Sequence, residues 1–196
     1  MSSSDSSKSK MIVVSAPSGA GKTTIVKHLL HTFPQLGFSV SATSRRMREG
    51  ECNGREYYFM SSDKFRLMIS EEKLLEWQEV YHDSFYGTPV SEVERITKKG
   101  QFPVFDVDVV GGLNIKKMYG DQALAIFIRP PSYEILETRL RSRATDSEES
   151  LQKRLSKVKW ELSFEKNFDH VIVNDTLEES FRVAKLLVKD FLGLQS

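Results

Sequence analysis

The stretch Ser15-Ala16-Pro17-Ser18-Gly19-Ala20-Gly21-Lys22-Thr23 joins small, flexible residues to a lysine and a hydroxyl. This is the composition that lets several backbone N–H groups converge on phosphate oxygens. Lys22 adds a mobile positive charge and Thr23 a hydroxyl suited to Mg²⁺, so the chemistry implied is phosphoryl transfer from a nucleotide. The usual pattern is G-x-x-x-x-G-K-[ST], and Ala16 stands at its first glycine. A helix expected from Lys22 to His31 would add its N-terminal dipole to the same anion site.

A second group of donors follows. Ser41 to Glu51 (SATSRRMREGE) precedes Asn53-Gly54-Arg55-Glu56-Tyr57-Tyr58-Phe59. Guanidinium groups hold a phosphate dianion bidentately, and tyrosine hydroxyls add neutral donors. Glu76 lies between Leu75 and Trp77, where a carboxylate needs a partner. Asp106 and Asp108, two apart at the end of a strand-like run, share a face beside the loop, and Asp106 is the candidate for the metal and its waters. Arg139 and Arg143 can project together from a helix, whereas Arg141 and Lys157 read as a solvated face. His28, His31, His82 and His170 have no spacing or neighbour that demands catalysis.

The elements that must position these groups alternate. Apolar runs at Met11–Val14, Gly37–Val40, Phe102–Val107, Ala123–Ile128 and Val171–Val173 are separated by amphipathic stretches. This predicts a parallel sheet covered by helices. Ile25, Val26, Leu29 and Leu30 form the apolar face of the first helix. Residues 41–100 read as an insertion with a small sheet of its own. The charged stretch from Arg139 to Lys166 reads as two helices, the second opened by the capping pair Asp146 and Glu149. Thr88 before Pro89, and Asp175 with Glu178, are expected helix starts, Thr88 as an additional role.

Composition narrows the class. With 196 residues, 28 Lys and Arg against 27 Asp and Glu, and a net charge of +1, the chain has no global field that would favour nucleic acid or a membrane. Any anion site must be local. The single cysteine, Cys52, excludes an intrachain disulfide and a cysteine-based zinc site and fits a reducing compartment. Residues 1–10, rich in Ser, Lys and Asp, are expected to form a disordered tail without the apolar stretch of a secretory signal. With no run long enough to span a bilayer, the expected location is the cytoplasm.

Taken together, the chain resembles the guanylate kinases, a family of P-loop nucleoside monophosphate kinases. The resemblance is carried by the loop Ala16-Pro17-Ser18-Gly19-Ala20-Gly21-Lys22, by the Ser-x-Thr-Ser-Arg-x-x-Arg-x-Gly-Glu segment from Ser41, and by Asn53-Gly54 and Tyr57-x-Phe59. It continues through Leu75-Glu76-Trp77, Tyr86-Gly87-Thr88, Phe105-Asp106-Val107-Asp108, Arg139-x-x-x-Arg143, Lys153-Arg154-Leu155 and Val171-Ile172-Val173-Asn174-Asp175. The family commonly has Gln-Gly where this chain has Val110-Gly111-Gly112, so a side-chain hydrogen bond is expected to be missing there.

The resemblance implies an α/β fold: a P-loop NTPase-type parallel sheet flanked by helices, an inserted GMP-binding subdomain with a small mixed sheet, and a helical lid. It divides residues 11–196 into a core (11–40, 101–134 and 167–196), the insertion (41–100) and the lid (135–166). The implied activity is Mg²⁺-dependent transfer of the ATP γ-phosphoryl group to GMP, with dGMP as a further acceptor, by a monomer or homodimer. ATP binding falls to Ala16, Pro17, Ser18, Gly19, Ala20, Gly21, Lys22, Thr23, Thr24 and Asn174. In the acceptor site, Arg45, Arg48, Tyr57 and Tyr86 are implied to hold the GMP phosphate, and Ser41, Glu76 and Thr88 to read guanine, with Glu51, Gly87, Asp106 and Asp108 alongside. Lys22, Arg45, Arg139, Arg143 and Arg154 are the implied catalytic cations, and Thr23 and Asp106 the implied metal-holding pair. Guanine chemistry agrees: a carboxylate accepts from N1–H and the exocyclic amine, whereas adenine would leave it unpaired. A non-catalytic guanylate-kinase-like interaction module and a same-fold kinase for another small acceptor are the alternatives.

Overall fold

The structure is a computed structural model that describes residues 10–141 and 148–194, without the side chains of Tyr81, Arg139, Glu148, Glu149, Ser150, Leu151 and Lys153. The expected tail up to residue 9, Arg143 and the capping pair Asp146 and Glu149 therefore lie outside the described residues and side chains. Lys10, by composition part of that tail, donates to Phe191 O at 2.6 Å.

In chain order the elements are β1 (Met11–Ser15), α1 (Lys22–Thr32), β2 (Leu36–Ser39), β3 (Ala42–Thr43), β4 (Tyr58–Phe59), α2 (Ser62–Ser70), β5 (Leu74–Tyr81), β6 (Ser84–Pro89), α3 (Val90–Thr97), β7 (Phe102–Val107), α4 (Val109–Tyr119), β8 (Ala123–Arg129), α5 (Tyr133–Arg141), α6 (Glu148–Leu162), β9 (His170–Val173) and α7 (Leu177–Leu192). A five-stranded parallel sheet has the order β2-β7-β1-β8-β9. Its inner strands are continuous apolar runs because both faces are covered. Ile12, Val14, Ile126 and Ile128 pack with α1, α5, α6 and α7 on one side, while Met11, Val13, Ala125 and Phe127 pack with α4 on the other. Among the described residues no helix is long and apolar enough to cross a membrane.

The expected small sheet is present as β4-β3-β6-β5, which mixes one parallel pairing with two antiparallel ones around Ala42, Phe65 and Phe85. Its junction with the main sheet explains why β2 stops at Ser39 rather than Val40. The Val40 N–H leaves the ladder and donates to Glu92 Oε2 at 2.9 Å. Glu92 is 2% exposed and also accepts from the Tyr58 hydroxyl at 2.9 Å and from two Arg95 nitrogens, each at 2.8 Å. Burial raises the Glu92 pKa, but these donors outweigh it and hold the carboxyl below its ordinary value.

Two expected helix starts are corrected. Thr88 belongs to β6, and α3 begins after Pro89 without a side-chain cap, because the Thr88 hydroxyl is turned to another partner. Helix α7 is preceded by Thr176, not Asp175, and that residue makes no side-chain capping bond either. The charged stretch does form two helices, although the first starts six residues earlier than its arginine, at Tyr133.

Candidate active site

A cleft of about 820 Å³ opens at the C-terminal edge of the parallel sheet, between the loop after β1, the small sheet and α6. The loop is shaped from within. Gly21 has φ 95°, a left-handed conformation that favours glycine, and a side chain there would collide with the Asn174 amide. The Asn174 Nδ2 donates to Ala20 O at 2.8 Å, while its Oδ1 accepts from Ser180 at 3.0 Å. Asn174, expected at the nucleotide, is thus 4% exposed and braces the loop from beneath.

Lys22 and Thr23 open α1 and meet the end of β7. The Lys22 ammonium lies 2.7 Å from Asp106 Oδ1 and donates to Val107 O at 2.8 Å. Burial lowers the Lys22 pKa, but the Asp106 charge and hydrogen bond outweigh it and hold the ammonium above its usual value. Thr23 donates to Asp106 Oδ2 at 2.8 Å. Asp106 is therefore an organised acceptor rather than a solvated strand end. Asp108 caps α4 by accepting from Gly111 N–H at 2.9 Å, so the Val110 variant leaves its carboxylate with a partner.

On the facing sheet, antiparallel pairing sets Glu76 opposite Thr88. The Thr88 hydroxyl, fully buried, donates to Glu76 Oε1 at 2.6 Å. A methyl group on Gly111 would stand 2.6 Å from Glu76 Oε2, so only glycine there leaves that oxygen its space. Burial pushes the Glu76 carboxyl up to about 7, Asp108 adds to this, and the Thr88 hydroxyl works against it. Such a group accepts hydrogen bonds readily once a donor arrives to stabilise its charge.

Between these ends sit the arginines and tyrosines. Arg45 makes a two-pronged pair with Glu51 at 2.7 and 2.5 Å and lies over the rings of Tyr57 and Phe59, at 5.0 and 5.3 Å from their centroids. The Arg45 hydrogen bond brings the Glu51 carboxyl down to about 2. Glu51 also accepts from the Arg48 N–H at 2.8 Å, so one carboxylate folds the whole donor segment. Tyr57 and Tyr86 meet in a T-shaped contact, ring centroids 5.9 Å apart, and burial raises the Tyr57 pKa, keeping its hydroxyl a donor. Ser41, Arg48, Tyr86 and Gly87 complete this wall.

The structure thus brings together most of the expected residues, from Ala16 to Thr24 and from Ser41 to Gly87, with Asp106, Asp108 and Arg154. Thr88 reaches the site through Glu76. Arg141 pairs with Glu137 at 2.8 Å, as a solvated helix face would. Lys157 does not: it lines the cleft. Gln78, Val80 and Glu161 also line the cleft and were not anticipated. Strand alternation from Glu76 points to Gln78 and Val80, and helical spacing from Arg154 points to Lys157 and Glu161.

Comparison with known proteins agrees with this geometry. The guanylate kinase family model matches residues 8–190. The guanylate kinase of Bacteroides fragilis is 49% identical over 189 residues, covering 96% of this chain and 93% of that one. That of Porphyromonas gingivalis is 48% identical over 185 residues, covering 94% and 98%. The crystal structure of guanylate kinase from Anaplasma phagocytophilum aligns with a TM-score of 0.75 at 30% identity, covering 94% of this chain and 87% of that chain. With a phosphate loop, a paired arginine wall and a buried carboxylate in one cleft, and with similarity along nearly its whole length, the chain belongs to the guanylate kinase family.

Proposed function

We infer that the protein transfers the γ-phosphoryl group of ATP to the phosphate of GMP, giving ADP and GDP. The observation that carries this reading is the layout of a single cleft. The loop and Lys22 stand at one end, Glu76 with Thr88 on the facing sheet, and Arg45, Tyr57 and Tyr86 between them.

In this reading the loop amides hold the donor phosphates, and Lys22 balances charge on the group in transit. Arg45, Arg48, Tyr57 and Tyr86 hold the acceptor phosphate, while Glu76 accepts from guanine N1–H and the amine with Thr88 steadying its other oxygen. An oxygen of the GMP phosphate forms the new bond to phosphorus as the bond to the ADP oxygen breaks. No protein nucleophile is needed, so the chain supplies alignment and exclusion of water. Arg154 belongs to the donor side, with Arg139 and Arg143, and residues 41–100 and 135–166 close over the two nucleotides.

Thr23 and Asp106 present hard oxygen donors at one point of the cleft, a set that fits Mg²⁺. Bound there, the ion supplies positive charge against the donor phosphates. The cytoplasm, where both nucleotides occur, is the proposed location.

A coupled assay of ADP formation against a panel of nucleoside monophosphates tests the reading. GMP should exceed AMP, CMP and UMP in kcat/KM by about 10³-fold or more. Equal use of AMP, or ATP turnover without any monophosphate preference, would overturn it. Intact Lys22 and Thr23 at Asp106 favour an enzyme over an interaction module, which would need no such cation.

A further inference from the structure

Helix α6 sends more into the cleft than a lid arginine. Arg154, Lys157 and Glu161 stand at i, i+3 and i+7 on one face and all line the cavity. Glu161 is 4% exposed, and its Oε2 is sealed from solvent without a hydrogen-bond partner among the described residues. The Ser18 N–H of the loop after β1 is among the groups facing its carboxyl, both residues line the same cleft, and Oε1 lies 3.8 Å from Lys157 Nζ.

A carboxyl in this condition is expensive: burial without full pairing costs several kcal/mol, and an apolar residue would pack the same space better. The groups facing it are Lys157 from its own helix, Lys22 from α1, Asp108 from the start of α4 and the Ser18 amide from the loop. Burial dominates and pushes it up to about 7. The Lys157 contact is equally telling. At 3.8 Å it is well beyond the ~2.8 Å of a charge-assisted hydrogen bond, so the ammonium lines the cleft without being locked to Glu161. Its side chain is 31% exposed, and a lysine stem can carry the charge a further few ångströms.

We propose that Glu161 is a positioning residue that ties α6 to the phosphate loop and presents Lys157 as a further cation to the phosphates of the donor nucleotide. In the open cleft the two charges face each other beside Ser18. When a triphosphate fills the loop, Lys157 turns to its oxygens and Glu161 keeps the helix in register. The inference rests on reading the loop as the donor site, but it does not depend on the identity of the acceptor.

The test is therefore ATP binding by calorimetry without acceptor, on wild type, Lys157→Met, Glu161→Gln and the double variant. Each single variant should weaken ATP binding about tenfold, about 1.4 kcal/mol, and the double variant should be no worse than the weaker single one. Lys157→Arg should recover most of the loss, and KM for GMP should stay within about twofold. Unchanged ATP affinity in Lys157→Met, strictly additive losses, or an equal rise in KM for both nucleotides would overturn the proposal. Should Glu161→Gln fail to fold, Lys157→Met and Lys157→Arg carry the test alone, since that side chain is part-exposed. Failure of the panel assay with these results intact would sink the GMP reading only.

Discussion

Two carboxylates buried within one inserted region, Glu92 and Glu76, have opposite surroundings. Glu92 is 2% exposed and receives Val40 N–H, the Tyr58 hydroxyl and Arg95, so its charge is satisfied at the junction of the two sheets. Glu76 is 8% exposed, receives Thr88, and faces the cleft with its other oxygen. Burial raises both, yet donors pull Glu92 below its ordinary value while Glu76 stays near 7. Within this inserted region the difference separates a joint from the proposed reader: Glu92 is fully bonded by the chain, whereas Glu76 keeps an oxygen open for bonds from a ligand.

The sharpest way to break this contrast is Glu76→Gln. In the proposed reading it replaces one acceptor oxygen by a donor at the guanine edge, so kcat/KM for GMP should fall about 10²–10⁴-fold while the preference over AMP shrinks with it. Steady-state kinetics with both acceptors check this. A variant that kept the parent preference would place base recognition elsewhere.

Glu92→Gln should do the reverse. Leaving Arg95 and Tyr58 with a poorer partner should cost about 3 kcal/mol of stability, measured by denaturant unfolding. The GMP-over-AMP ratio should stay within about twofold, because Glu92 touches no part of the base pocket. Should selectivity collapse instead, the junction would be part of the reader.

Stability against pH separates the two by sign. The Glu92 pKa is lowered, so its contribution is complete above the ordinary carboxylate range and is lost as pH falls through its folded value. Glu76 rises from 4.5 to about 7, so its ionisation costs nothing below 4.5, and the penalty grows to its full size above about 7. Glu76→Gln should therefore stabilise the protein at pH 8, by up to about 3 kcal/mol, and do so much less at pH 5. Thermal melts at the two pH values decide it, and an equal shift at both would remove the raised carboxyl.

The smallest effect is expected at Thr88→Val, which removes one hydroxyl donor and keeps the volume. KM for GMP should rise about fivefold, near 1 kcal/mol, with ATP affinity unchanged. No change would show that Glu76 needs no internal donor.

Much of this site was legible because its determinants are local. Small residues from Ser15 to Gly21 entering Lys22 read as a phosphate loop, and the Arg45 to Tyr57 segment read as an anion wall. Thr88 was half legible: its place before Pro89 suggested a cap, whereas cross-strand pairing turned its hydroxyl to Glu76. Lys157 misled, since a lysine in a charged helix is usually solvated and only the packing of α6 shows which face meets the cleft.

The sequence by itself determined where the strands of the parallel sheet run, where α1 begins and which residue types could meet phosphate, because periodicity and backbone freedom act over a few residues. Only the tertiary structure decided what each polar group is worth. Asn174 became a brace for Ala20 across 154 positions, and Glu92 a clasp for Val40 across 52. Glu76 and Glu161 were lifted to about 7 by surroundings drawn from distant segments. The reason is that desolvation and pairing depend on everything packed around a charge, and such neighbours are set by the fold rather than by the adjacent residues.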